Sequence, residues 1–191
     1  MERGPELVPG FWEKRKHLDY YRIAWDMVSR YQIGRDCVLE VGPHDCPLIA
    51  ETDFTRKVTV DCAPLPPLAG VRRIEAFWPD EGFYLAMEEI GITQGYDATV
   101  CLQTIEHQKD AARFCRALID VVLPGTGLIV VSVPHKWPDP RKPPKPLGHH
   151  HHEIDLEKLD NWMELGDQTM RFDHREAGGR RLVAAYRRKN A

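Results

Sequence analysis

Tyr96-Asp97-Ala98-Thr99-Val100-Cys101-Leu102-Gln103-Thr104-Ile105-Glu106-His107 is the stretch on which the fold turns. Its first part, Tyr96 to Gln103, is almost continuously apolar and rich in β-formers, the pattern of a strand covered on both faces and hence of a parallel sheet. Its last part turns polar at once, so the chain leaves the sheet with chemistry-bearing side chains in hand.

Working outward, similar runs occur at Cys37 to Val41, Lys57 to Asp61, Val71 to Ile74 and Gly127 to Val133. Helical patterns lie between them. Asp80 to Ile90 is one, and Asp110 to Val122 is another, with Ala111, Cys115, Leu118, Ile119 and Val122 on one face before Pro124-Gly125 stops it. Strands alternating with helices predict an α/β protein with a doubly wound, mainly parallel sheet, whose ligands sit outside the carboxyl ends of the strands.

The flanks complete the architecture. Leu18, Tyr21, Trp25 and Val28 recur at spacings of three and four and predict a leading helix over 11–31. From Pro134 to Gly148 there are six prolines in fifteen residues, which excludes a regular helix or central strand and predicts an extended surface loop over 134–153. Asp155 can cap a last helix carrying Leu156, Leu159 and Met163, ahead of Gly166. Thr169 to Arg175 and Arg180 to Arg187 then flank Ala177-Gly178-Gly179 as a C-terminal antiparallel hairpin.

At 191 residues one domain over 1–191 is expected, with its core at 36–133 and the last helix and hairpin at 154–191. The balance of 42% hydrophobic and 29% charged residues is that of a globular protein. A net charge of -3 with scattered basic residues argues against nucleic acid as a partner, because such binding draws on concentrated positive charge. The longest apolar stretch, Gly127 to Val133, is too short to cross a bilayer, so no membrane partner is expected and the cytoplasm is the default. Five cysteines without a CxxC pair read as reduced thiols.

Four segments in this order resemble the class I methyltransferase family, over roughly Asp36 to Val133. Val38-Leu39-Glu40-Val41-Gly42-Pro43 looks like the family's first motif, in which an acid ends strand one and a glycine lets the backbone approach the cofactor. The commoner motif would have glycines where this chain has His44 and Cys46. Val58-Thr59-Val60-Asp61 ends a second strand in an acid twenty-one residues after Glu40, near the spacing at which dinucleotide folds grip ribose hydroxyls. Tyr96 to His107 is similar to the fourth-strand motif with its acid-histidine pair, and Leu123-Pro124-Gly125-Thr126-Gly127 to the turn before strand five.

The resemblance implies a Rossmann-like methyltransferase fold, S-adenosylmethionine as cofactor, and methyl transfer to a small-molecule acceptor through an oxygen or nitrogen nucleophile. It implies cofactor contacts from Glu40, Gly42, Pro43, His44, Asp61, Cys62, Gln103 and Thr104, with Phe77 able to pack on the adenine. Histidine suits deprotonation of an acceptor near neutral pH, which makes His107 and His135 the candidate catalytic residues. The glycines replaced by His44 and Cys46 leave open a silent binding module of the same fold serving a partner protein. Related folds also transfer aminopropyl groups or bind nicotinamide nucleotides.

The run His149 to His152 invites a metal site. Adjacent residues on an extended chain point to alternate sides and cannot all reach one ion, so a solvated or substrate-loop role is expected and no metal is assigned.

Overall fold

The computed structural model describes residues 17–43, 47–64, 67–89, 91, 95–135, 150–163 and 168–190. Seven strands form one sheet: β1 (Cys37–Val41), β2 (Arg56–Asp61), β3 (Val71–Glu75), β4 (Ala98–Leu102), β5 (Leu128–Pro134), β6 (Thr169–Ala177) and β7 (Arg181–Arg188). Their order is β3-β2-β1-β4-β5-β7-β6. The first five are parallel, β7 runs antiparallel to β5, and β6 pairs antiparallel to β7. The expected mainly parallel Rossmann-like sheet with a C-terminal hairpin is therefore present.

Burial explains why the apolar runs are continuous. Every residue of β1, β4 and β5 is buried, because successive side chains feed two separate cores. Leu39, Val41, Cys101, Ile129 and Val131 pack with the helices α2 (Glu81–Glu89), α3 (Ala111–Asp120) and α4 (Leu156–Met163). Val38, Val100, Leu102, Leu128 and Val130 pack on the other face with α1 (Asp19–Tyr31).

Helix termini follow their caps. Asp110 Oδ1 accepts the backbone N–H of Arg113 at 3.0 Å and opens α3; Asp155 Oδ1 accepts that of Lys158 at 2.8 Å and opens α4. The start of β4 is tied sideways to that of β1, since Asp97 Oδ2 accepts the N–H groups of Asp36 at 2.9 Å and Cys37 at 2.8 Å.

Three expectations need correction, the first being that Pro134 does not open the surface loop but is the buried last residue of β5, opposite Arg181, at a strand end where a proline is tolerated. The buried stripe of α1 is Tyr20, Tyr21, Ala24, Met27 and Val28, whereas Trp25 is 45% exposed and gives its Nε1–H to the carbonyl of Glu51 at 3.3 Å. Smaller Ala24 and flexible Met27 fit against the sheet where an indole would not, so the apolar stripe lies one position round the helix. Fourth-strand pairing also starts two residues late, at Ala98, while Tyr96 bridges to Val122. Residues 11–16, the bulk of the Pro-rich loop (136–149) and Gly166 lie outside the described residues.

The sheet's outer strands differ. β6 alternates between buried or half-buried and exposed positions and carries a bulge between Arg171 and Asp173, whereas β3 is short, with Arg72 and Glu75 exposed.

Candidate functional site

The strand order reverses between β1 and β4, and in open α/β sheets a crevice forms outside the carboxyl ends at that point. Gly42 leaves β1 there with φ +68°, a conformation that strains any side-chain-bearing residue. Space forbids one as well: a Cβ on Gly42 would lie 2.6 Å from Thr104 Oγ1 and 2.7 Å from Thr104 Cγ2. The ends of β1 and β4 are thus in direct contact. Thr104 Oγ1 donates to the carbonyl of Leu102 at 3.1 Å, fixing its rotamer beside the glycine.

Asp61 reaches the same rim through register. Val41 pairs with Val60, and Gly42 N–H donates to the Val60 carbonyl at 2.9 Å, so Asp61 is the next residue along beside Gly42. One carboxylate oxygen, Oδ1, accepts the N–H of Ala63 at 3.0 Å and holds the turn that presents Cys62 to solvent. Farther along the rim, Phe77 follows β3 and is 64% exposed, so its ring is a surface group while its neighbour Trp78 packs into the core against Phe83.

Gln103 follows β4 with φ +54°, the sole non-glycine residue with positive φ among those described. It is over-determined by two bonds to one residue of β5: its N–H donates to the Ser132 carbonyl at 2.8 Å and its Nε2 to Ser132 Oγ at 3.1 Å. Strain held in this way clusters at functional sites.

Glu40 serves the rim from beneath. Its carboxyl is fully buried, and Oε2 accepts the N–H of Ile49 at 3.0 Å. Burial pushes this carboxyl up to about 8; the N–H groups of Ile49 and Leu48 and the charge of Arg73 pull it back. Glu40 therefore pins the far limb of the loop that follows β1. Pro43 is buried at the near limb, and His44 lies outside the described residues, as does Cys46.

The two candidate histidines stand in different places. His107 sits in a short helical turn, Ile105–His107, directly after the Gln103–Thr104 loop, and its side chain is 37% exposed. His135 follows β5 on the side of the hairpin, with its side chain only 12% exposed and Nε2 3.5 Å from Glu176 Oε1. Its N–H donates to Arg180 and its backbone bridges to Ile154, which ties it to the frame.

The histidine run crosses over that helical turn. His151 N–H donates to the Glu106 carbonyl at 2.7 Å and His152 Nε2 to the Gln108 carbonyl at 2.8 Å. His150 and His152 face inward and His151 outward, as alternation on an extended chain requires. The His150 ring meets that of His107 edge-on, centroids 5.1 Å apart. Ser132 is a site-forming residue that the motifs do not single out, and the meeting of the acid-histidine pair Glu106-His107 with His150 of the histidine run is one that no motif spacing predicts.

A cavity of about 580 Å³ opens between α1 and the helical turn Leu48–Glu51, with Tyr21, Arg22, Trp25, Pro47 and Leu48 in its wall.

Solved structures resemble this chain over most of its length. One is an S-adenosylmethionine-dependent methyltransferase from Mesorhizobium loti, 13% identical, covering 88% of this chain and 98% of that one with a TM-score of 0.62. Another is a complex described as DhpI-SAM-HEP, 15% identical over 91% and 90% of the two chains, with a TM-score of 0.58. A third is the [4+2]-cyclase SpnF, 11% identical over 90% and 82%, with a TM-score of 0.60. No family model and no curated protein matches the sequence.

Strand order, antiparallel hairpin and these neighbours together define the class: the chain has the class I, Rossmann-like fold of S-adenosylmethionine-dependent methyltransferases. Among the described residues no helix is long and apolar enough to cross a membrane.

Proposed function

We propose that this chain binds S-adenosylmethionine at the reversal of its strand order and transfers the methyl group to a small molecule through an oxygen or nitrogen nucleophile. The observation that carries the proposal is the meeting of Gly42, Asp61 and Thr104 on one rim, the three positions at which the first, second and third of the four segments deliver their residues.

The residues present suit that cofactor. Gly42 and Pro43 keep the β1 turn slim for the amino-acid portion, with Glu40 bracing the loop from inside. Asp61 would offer its carboxylate to the ribose hydroxyls with Cys62 next to it in the chain, and the exposed ring of Phe77 would suit an adenine face. Gln103 and Thr104 border the end at which the methyl would lie. His44 belongs to the same loop by sequence.

Bound there, the sulfonium supplies an already activated methyl. The chain's own task is to align the acceptor with it and exclude water, and such positioning supplies up to about 7–11 kcal/mol in favourable models. His107, next along the chain from the Gln103–Thr104 loop, is the acceptor-side residue. His135, held against Glu176 and the hairpin, is left with a framework role. The cavity beside α1 has the size of a small-molecule pocket.

Calorimetric titration with S-adenosylmethionine tests the first half: micromolar binding is expected, and no binding would favour a silent module of the same fold. Because a [4+2]-cyclase shares this architecture, methyl transfer itself needs release of S-adenosylhomocysteine in the presence of acceptor mixtures. Binding without release under any acceptor would overturn the transfer step alone.

A further inference from the structure

Glu106, His107 and His150 each offer one ligand atom, and these atoms all lie within 4.8 Å of one another. Two of them come from a helical turn after β4, the third from a segment more than forty residues later, so the gathering is tertiary. Glu106 is 1% exposed, His150 half-buried and His107 exposed on its outer side, which gives the group a buried floor and an open top.

Its surroundings hold it in shape. The two hydrogen bonds from His151 and His152 to the carbonyls of Glu106 and Gln108 fasten the histidine segment across the turn, and the His152 ring packs on Trp162 at 5.0 Å. Outer contacts of this kind orient ligands and keep them from paying ordering entropy on binding. A four-coordinate ion with bonds near 2.0–2.1 Å sets its ligands roughly 3.3–3.5 Å apart. His107 Nε2 and Glu106 Oε1 already stand 3.9 Å apart, so modest side-chain rotation closes the set.

We infer that Glu106, His107 and His150 form a binding site for one divalent transition-metal ion of the zinc type. Two imidazoles with one carboxylate select such an ion over magnesium or calcium, which prefer all-oxygen shells. Three protein ligands leave a fourth position for water or an acceptor oxygen. The alternation argument survives in sharpened form: the histidine run supplies one ligand, His150, and the other two come from the acid-histidine pair. The site stands on its own geometry and needs no cofactor.

Full-length protein purified without a histidine tag and stripped with chelator is titrated with zinc by calorimetry and with cobalt by visible absorption, in the absence of S-adenosylmethionine. One equivalent is expected, with the intense cobalt bands of four-coordination and a rise in melting temperature on zinc addition. His107→Ala and His150→Ala, both at solvent-reached positions, should each weaken zinc by at least about tenfold and abolish the melting shift. His151→Ala, in the same run but outward-facing, should retain both. Glu106→Gln should weaken binding while keeping the side chain's shape in its buried place. Absence of saturable binding, binding indifferent to His107→Ala, or equal loss in His151→Ala and His150→Ala overturns the site. None of these readouts involves methyl transfer, so the two proposals fail separately.

Discussion

Thr104 fills the space that a side chain on Gly42 would need, with its Oγ1 2.6 Å from where a Cβ would stand. Gly42→Ala therefore incurs a clash and a positive φ together, and should lose about 1–3 kcal/mol of stability along with most cofactor affinity. Thr104→Ala in that background removes Oγ1 and Cγ2 and should recover part of the stability. Urea unfolding of the two single variants and the double variant measures the coupling; strict additivity would show the contact to be irrelevant.

Glu40 gives the fold a pH signature. Its carboxyl is raised from 4.5 to about 8 by burial, so between those values the native chain holds a proton that the unfolded chain has released. Its contribution is fully present below about 4.5 and is lost as pH rises through about 8, with a slope of at most about 1.4 kcal/mol per pH unit. Relative to Glu40→Gln, the wild type should lose stability between pH 5 and pH 8 in urea titrations. Parallel curves for the two proteins would mean the carboxyl is ionised in the fold.

Asp61→Asn keeps an oxygen for the N–H of Ala63 and removes the charge. Hydrogen bonds to charged groups contribute about 1.5–3 kcal/mol, so S-adenosylmethionine should bind about 10- to 100-fold more weakly with melting temperature nearly unchanged. Unchanged affinity would take Asp61 out of the ribose contact.

Arg175 couples α1 to β6. Its Nη1 donates to Asp26 Oδ2 at 2.7 Å and its Nη2 to Asp173 Oδ2 at 3.0 Å, and the Tyr31 hydroxyl donates to the same Asp173 oxygen at 2.9 Å. The hydrogen bond from Arg175 holds the Asp26 carboxyl below its ordinary range. Arg175→Ala should lower stability by about 1 kcal/mol, or about 2–4 °C in melting temperature, and by less at 1 M salt, since these groups are partly open to solvent.

The frame was legible because parallel strands buried on both faces write unbroken apolar runs, and β1, β4 and β5 do so at every position. Gly42, Asp61 and Thr104 were legible for a related reason: each follows the last residue or closes the end of such a run. Trp25 misled, because an indole counts as apolar in a periodic pattern yet can lie on the surface with its N–H satisfied. Glu106 and His150 escaped as partners because their meeting depends on where the chain returns after the Pro-rich loop, a tertiary fact that no local spacing encodes. Ser132 escaped likewise, being one polar residue inside an apolar strand whose neighbour only the sheet order supplies.

The two flanks of the sheet bear on how copies of this chain meet. β6 is nine residues long, enough to template another strand, but its bulge at Arg171/Asp173 breaks the straight ladder and its side chains include Arg171, Asp173, Arg175 and Glu176. β3 offers only five residues, with Arg72, Arg73 and Glu75 among them. Stacking flank to flank would force ionic groups into a dry seam along a kinked backbone, so growth into a fibre is opposed at both ends of the sheet.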